Sequence, residues 1–328
     1  MKTSYCPDLE DAYRGLTVLV TGGTGFLGKW IVDKLLEWEC TVIVAVNNVD
    51  KQSIFTTESE KRRLLHFFRY DLESKIEANL EEYGGRIDII FHLAAAGVRS
   101  LQADKPATLR ENILGAYGIG EFAARSSVRR IVCAGSCFEY GSGDMVKENS
   151  HLEPRTAYAK SKILCRELLD WFGETTKIEV THLRPFTIYG PGEQRERLIS
   201  HVIGCLHYDE PLAITDGSQI RDFIFVEDVR DAFLCAGVHP AAAGNIFNVC
   251  TGNSRSVQSI VEIICDLLGA DRKSLEYGKI RRRKSDMDML VGDPNHIRET
   301  LDWQPTIEIR EGLRRTIEWR LAKHVIEC

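Results

Sequence analysis

The chain has 328 residues, 44% hydrophobic and 27% charged, with a formal net charge of −6 at pH 7. That balance supports one large or two modest hydrophobic cores and excludes disordered and collagen-like chains. A net-negative chain lacks the basic face of a nucleic-acid or membrane-surface protein, and the run Arg281-Arg282-Arg283-Lys284 reads as a local solvated face.

No apolar run reaches the length of a membrane span. Met1 to Tyr13, with Asp8, Glu10 and Asp11, lacks the apolar centre of a signal peptide. Ten cysteines lie scattered, mostly in apolar segments and without C-x-x-C spacing, the usage of reduced core thiols, so a cytoplasmic protein is expected.

In chain order, the β-branched run Val18-Leu19-Val20 stops at Thr21, and glycines follow at 22, 25 and 28 before Lys29 to Leu36 takes up helical apolar spacing. The spacing predicts strand, tight turn and helix. Gly22 would turn with positive φ, Gly25 would admit a pyrophosphate close to the backbone, and Gly28 would let the helix pack on the strand, while the helix N-terminus offers free N–H groups to phosphates. Glycines also end strands for structural reasons alone, but this placement between a buried strand and an amphipathic helix favours a dinucleotide site.

Thr41 to Val46 is a second strand, ending at Val46 and Asn47 where an Asp or Glu would hold an adenosine ribose. A charged segment follows, then a short third strand from Leu64 to Phe68, with Asp71-Leu72 beyond it. Ile87 to Ala96, through His92 and Leu93, is a fourth, running into the small residues Ala94-Ala95-Ala96, which suit a backbone beneath a flat cofactor. Pro106 to about Ser127 is helical, and Val128 to Ala134 is a fifth strand. Strands alternate with helices, so the expected fold is α/β, a doubly wound parallel sheet. From about Arg184, Pro185, Gly190, Pro191, Gly192 and Pro211 break the chain into shorter pieces. The expected division is therefore residues 1–183 as the dinucleotide-binding domain and 184–328 as a smaller substrate lobe interleaved with the main sheet.

Tyr158 and Lys162 stand at i and i+4 on one helix face. A tyrosine of reference pKa about 10 is a poor acid–base at neutral pH, and an adjacent ammonium favours its phenolate. An exposed helix face carrying a chance Tyr and Lys is the bland alternative. Ser136, however, ends the fifth strand, where a doubly wound sheet places its ligand crevice.

Thr21 to Gly28, Ser136 with Tyr140-Gly141, Tyr158-x-x-x-Lys162, Arg184-Pro185 and Arg221-Asp222-Phe223 together resemble the extended short-chain dehydrogenase/reductases, with a Rossmann sheet, over about Leu16 to Trp319. Within them the chain is similar to the NAD-dependent epimerase/dehydratase group acting on nucleotide-diphosphate sugars. The resemblance implies cofactor contacts from Gly22, Thr24, Gly25, Phe26, Leu27 and Gly28, from Asn47, from Asp71 and Leu72 at the adenine, and from Leu93, Ala94, Ala95 and Pro185. Asn112 would support the active-site helix at the cofactor. Ser136 would bind the reacting oxygen, Tyr158 would be the acid–base, and Lys162 would hold the nicotinamide ribose and lower the pKa of Tyr158. Thr187, Arg221 and Arg283 would meet the substrate, the two arginines at the diphosphate, which their fork geometry suits. No metal is implied. A homodimer is, through the Asn112 and Tyr158–Phe172 helices, with Ile163, Leu164, Leu168, Leu169 and Phe172 as apolar candidates.

The chain departs from the family pattern at several places. Cys137 and Phe138 stand where dehydratases carry Asp-Glu, and decarboxylases carry Glu at the place of Phe138. Glu139 replaces a common Val and either touches the substrate or pairs with an arginine. Thr187 stands where epimerases often present Asn. Val46 and Asn47 leave a 2′-phosphate unrepelled, so NADP(H) is expected over NAD(H), with Lys51, Arg62 or Arg63 as candidate cations. Tyr189 to Glu193, Gln219 to Val226 and the Tyr277-Gly278 segment leading to Arg283 resemble reductases of the CDP-abequose synthase type. The expectation is therefore reduction of the C4 keto group of a nucleotide 4-keto-6-deoxy or dideoxy hexose, with a 4-epimerase holding tightly bound NAD as the alternative and a non-catalytic cofactor-binding sensor as a distant one. A serine hydrolase is disfavoured because Gly135 to Glu139 lacks the G-x-S-x-G elbow, and Cys137 has no designated base.

Overall fold

The β-branched runs form the strands expected of them, and the glycine turn falls between the first strand and the first long helix. The computed structural model describes residues 8–46, 61–70, 86–97, 105–126, 128–283 and 285–324. Asn47, Lys51, Asp71 and Leu72 lie outside the described residues.

In chain order the elements are α1 (Leu9–Tyr13), β1 (Thr17–Thr21), α2 (Phe26–Glu37), β2 (Thr41–Val46), β3 (Leu65–Arg69), β4 (Ile89–His92), α3 (Lys105–Arg125), β5 (Arg130–Ala134), β6 (Gly143–Val146), α4 (Ala157–Thr175), β7 (Glu179–Pro185) and β8 (Thr187–Tyr189). They continue with α5 (Leu198–His207), β9 (Leu212–Ala213), β10 (Ile220–Phe225), α6 (Val226–Val238), β11 (Ile246–Val249), β12 (Ser254–Ser256), α7 (Val257–Leu268), β13 (Leu275–Glu276), β14 (Met289–Gly292), α8 (Asn295–Leu301) and α9 (Ile309–His324).

Seven strands build the main sheet in the order β11-β7-β5-β4-β1-β2-β3, every pair parallel. The period of two along β1 sends Val18 and Val20 to one face, with Ile31, Val32 and Leu35 of α2 and Phe233 of α6. Leu19 goes to the other, with Ala116, Ile119 and Phe122 of α3 and Cys165 and Leu169 of α4. Burial on both faces explains why β1 and β2 read as continuous apolar runs.

From β1 the chain steps outward through β2 and β3, then crosses back to place β4 on β1's other side. The order reverses between β1 and β4. A ligand crevice opens at such a point, outside the carboxyl ends of the strands. The glycine turn after β1 and the small residues after β4 both lie there. β4 is shorter than the sequence suggests, because pairing stops at His92 and Leu93 to Gly97 leave the ladder as a loop.

A second sheet, β12-β10-β14-β6 with β8 beside β10, packs its Phe223 and Phe225 against Val202 and Ile203 of α5, Ile260 and Ile264 of α7 and Leu313 of α9. β6 comes from before residue 183, whereas β11 returns to the main sheet at the far edge beside β7. A two-stranded pair, β13-β9, completes the strands. No described helix is long and apolar enough to cross a membrane.

Candidate active site

Gly22 adopts φ of +70°, and a Cβ there would lie 2.7 Å from the Ala94 backbone nitrogen. Any side chain would therefore push the β1 and β4 loops apart. At Gly28 a Cβ would come 2.1 Å from the Gly22 carbonyl oxygen, so α2 meets the turn at backbone contact. Gly25 caps α2 without any side-chain hydrogen bond, which leaves first-turn N–H groups for a phosphate. The residues present thus fit a dinucleotide pyrophosphate.

Below the turn, Thr21 and His92 face each other across β1 and β4. Thr21 Oγ1 lies 2.9 Å from His92 Nδ1 and accepts from the Ala94 N–H at 3.2 Å, which fixes the loop after β4. Burial first, then the Lys162 and His182 charges, pull the His92 pKa down to about 3, so this imidazole is neutral at physiological pH.

Asn112 of α3 ties this loop to the helix that carries the tyrosine. Its Oδ1 accepts from Ala96 N at 2.6 Å, and its Nδ2 donates to the Ala96 carbonyl at 3.2 Å and to Ser161 Oγ at 2.7 Å. Ser161 Oγ in turn donates to the Tyr158 carbonyl at 2.7 Å. Thr156 caps α4 by accepting from Ala159 N. Tyr158 is partly exposed in the first turn and Lys162 is buried one turn on, its Nζ 5.8 Å from the Tyr158 ring centre. Burial opposes the Lys162 ammonium, but Tyr158, Cys133, Cys165 and Glu139 outweigh it and hold its pKa above the ordinary value.

Ser136, just past β5, caps a single 3₁₀ turn, Cys137–Glu139, against which α4 packs. Its Oγ accepts from Phe138 N at 3.3 Å while Glu139 Oε1 accepts from Ser136 N at 2.8 Å, a reciprocal capping box. Glu139 pairs with Arg184, the second of the two fates its sequence left open. Cys137 is buried, and burial pushes its thiol up to about 12, as an inert core thiol requires.

Arg221 of β10 donates from Nη2 to Asp286 Oδ1 at 2.6 Å and from Nη1 to the Ile220 carbonyl at 2.8 Å. Burial outweighs Asp286 and lowers its pKa below the usual arginine value, with Arg282 adding a like charge. Such a guanidinium is well placed to gain from an incoming anion. Arg283 is exposed, and its carbonyl accepts from Asp286 N. Its neighbour Arg282 is the one that pairs with Asp216 and Asp288. Thr187 opens β8, half-buried and paired in register with Phe223. Pro185 ends β7 opposite Val249. Asp222 accepts from Thr251 N and Oγ1 and from Gly252 N at 2.7 to 2.9 Å, pinning the loop after β11 to β10.

Several supports were not marked by the sequence: the Thr21–His92 pair, Ser161, Asn248, which accepts from the Tyr140 hydroxyl that Arg184 also holds, and Trp30, whose Nε1 donates to the Pro191 carbonyl at 3.0 Å. Each joins elements distant in the chain, and no local pattern announces such a pair. Of the helix residues expected to supply an intersubunit surface, Ile163, Leu169 and Phe172 are instead buried within the chain. Leu169 packs in the core between sheet and helices, and Phe172 lies against Tyr117 and Gly120 of α3. The large apolar side chains that α3 and α4 leave outside are Leu114, Tyr117 and Trp171.

Residues 18–250 match the NAD dependent epimerase/dehydratase family. The chain belongs to that family. Relatives of this epimerase/dehydratase chain include a UDP-glucose 4-epimerase of Mycolicibacterium smegmatis, 28% identical over 93% of the chain and 98% of that protein. Among solved structures, Epimerase Mth375 from Methanothermobacter thermautotrophicus superposes with a TM-score of 0.87 at 28% identity, covering 98% of this chain and 96% of that one. MoeE5 in complex with UDP-glucuronic acid and NAD superposes with a TM-score of 0.81 at 31% identity, covering 94% and 99%. As a member of this family the chain is an NAD-dependent nucleotide-sugar enzyme on an α/β Rossmann-type sheet.

Proposed function

We propose that the protein is a nucleotide-diphosphate-sugar 4-epimerase working with retained NAD. The observation that carries this is Ser136 in the turn against which the Tyr158–Lys162 helix packs, with no acid in the two places after Ser136. Cys137 is a buried thiol and Phe138 is apolar, so nothing beside Ser136 can pass a proton for loss of water or carbon dioxide. Interconversion at C4 needs only the set present. The epimerase relatives support the same choice.

Gly22, Thr24, Gly25, Phe26, Leu27 and Gly28 would hold the pyrophosphate, with Leu93, Ala94, Ala95, Asn112 and Pro185 around the rest of the dinucleotide. When bound, its nicotinamide supplies a reversible hydride acceptor. Tyr158 removes the proton of the C4 hydroxyl on oxidation and returns it on reduction, as a general base and then a general acid. Ser136 holds that oxygen through its hydroxyl, and Lys162 maintains a positive charge against Tyr158. Arg221 and Arg283 grip the diphosphate while the sugar presents its other face, with Thr187 beside it. The dimer is proposed through α3 and α4.

A second possibility, NADPH-dependent reduction of a 4-keto sugar, is favoured by one feature, the apolar, buried Val46 at the end of β2. A carboxylate there would repel a 2′-phosphate and Val46 does not. Cofactor-stripped protein supplied with NADPH and a 4-keto nucleotide sugar separates the two. Stoichiometric nicotinamide oxidation identifies a reductase. No net oxidation, with interconversion of two 4-hydroxy nucleotide sugars by the protein as purified, identifies the epimerase.

A further inference from the structure

Under the Ser136 turn lies a pair of opposite charges that the chemistry above does not use. Glu139 and Arg184 are each 1% exposed, with Arg184 Nε donating to Glu139 Oε2 at 2.7 Å. Their remaining capacity is spent on the surrounding backbone and side chains. Glu139 Oε1 accepts from Ser136 N at 2.8 Å, and Arg184 Nη1 donates to Tyr140 Oη at 2.7 Å and to the Glu148 carbonyl at 3.0 Å. Tyr140 Oη passes on to Asn248 Oδ1 at 2.7 Å, and Asn248 Nδ2 donates to the Val146 carbonyl at 2.8 Å. The network therefore spans the ends of β5, β7 and β11 and reaches β6 of the second sheet.

Stability is a weak reason for such a pair, since apolar replacements of similar volume are often as stable or more so. Its geometry says more. Glu139 fixes the Ser136 backbone, and the same turn has Ser136 Oγ accepting from Phe138 N, so the hydroxyl accepts within the turn and keeps its proton to donate outward. We infer that Glu139, anchored by Arg184, is a positioning residue for the proposed reaction, fixing the Ser136 turn from beneath.

This rests on the proposed C4 chemistry, and the test keeps the two apart by pairing kinetics with a substrate-free readout. Glu139→Gln keeps an acceptor for Ser136 N but removes the charge. Glu139→Asp keeps the charge on a shorter arm. Glu139→Met/Arg184→Met removes the pair without leaving a lone buried charge, should the single variant fail to fold. The readouts are kcat and KM on the nucleotide sugar that the parent converts, and amide hydrogen exchange at the Ser136–Glu139 turn, which needs no substrate. Glu139→Gln is expected to lose about tenfold to hundredfold in kcat with KM little changed, and to exchange faster at the turn because the ion pair that anchors it is lost. Glu139→Asp, with its shorter arm, and the double variant lose kcat as well. Parental kcat and parental exchange in folded Glu139→Gln, or parental kcat in the double variant, overturn the inference. If the parent converts no nucleotide sugar the proposed function falls, and exchange at the Ser136 turn still decides the role of Glu139.

Discussion

Glu193 offers a test of how burial sets the chemistry of the loop over the cofactor turn. It closes the segment Tyr189 to Glu193, which rests on α2 through the Trp30 bond to the Pro191 carbonyl. Its side chain is 5% exposed and only weakly satisfied, with Ser200 Oγ at 3.3 Å and Arg197 Nε at 3.4 Å. Burial, opposed by those two partners, lifts its pKa from 4.5 to about 7. Each pH unit of that displacement is worth about 1.4 kcal/mol, so ionising Glu193 costs the folded state roughly 3 kcal/mol.

The sign follows from the folded value being the higher one. Stability is full below pH 4.5, falls as the unfolded chain ionises, and reaches its lower plateau once pH passes about 7. Glu193→Gln keeps the shape and an acceptor for Ser200 but cannot ionise. Urea unfolding followed by tryptophan fluorescence should show variant and parent similar near the acid end. By about pH 8 the variant should be ahead by roughly 3 kcal/mol. A stability difference that stays constant across this range would show that Glu193 ionises with little penalty, and the burial assignment would be wrong.

Tyr158→Phe should fold and bind dinucleotide while turnover falls by about 10²–10⁴, and near-parental turnover would remove Tyr158 from proton transfer. Arg221→Ala should weaken nucleotide-sugar binding by about one to two decades with less effect on the cofactor, by calorimetry, and Arg283→Ala should do the same only if its exposed side chain turns inward on binding. Gly22→Ala should lose at least about tenfold in dinucleotide affinity, because a left-handed residue with a Cβ costs roughly 1–2 kcal/mol even before the contact with Ala94 is relieved; unchanged affinity would place the cofactor elsewhere. Light scattering should give a dimer mass at micromolar concentration and a monomer after Leu114→Glu/Trp171→Glu, and a parental monomer would leave those exposed side chains without a partner copy.

The elements around the site were legible because their signals are local. The apolar run of β1, the three glycines and the spacing of α2 each fall within a few residues. Tyr158 and Lys162 are one helical turn apart, and the structure places them as that spacing requires. The end of β4 was less legible. Ile87 to Ala96 reads as one apolar stretch, yet pairing stops at His92, since the loop beyond it is held by Thr21 and by Asn112 rather than by a neighbouring strand. The helix faces were ambiguous for a related reason. Ile163, Leu169 and Phe172 are as apolar as Trp171, and only the three-dimensional placement of the sheet and of α3 decides which of them turn inward.

The three residues after Ser136 show how departures from a family pattern acquire meaning only in three dimensions. Cys137 is buried beside Tyr140, Phe186 and Cys250, Glu139 is buried against Arg184, and Phe138 between them is exposed. An acid at position 137 would point into apolar packing, and the acid at 139 is already committed to an ion pair. Position 138 is the exposed one of the three, and it holds a phenyl ring. With no free acid among them, the proposed proton traffic at the sugar falls to the hydroxyls of Ser136 and Tyr158, which would suffice for oxidation and reduction at one carbon and supports interconversion at C4 over elimination.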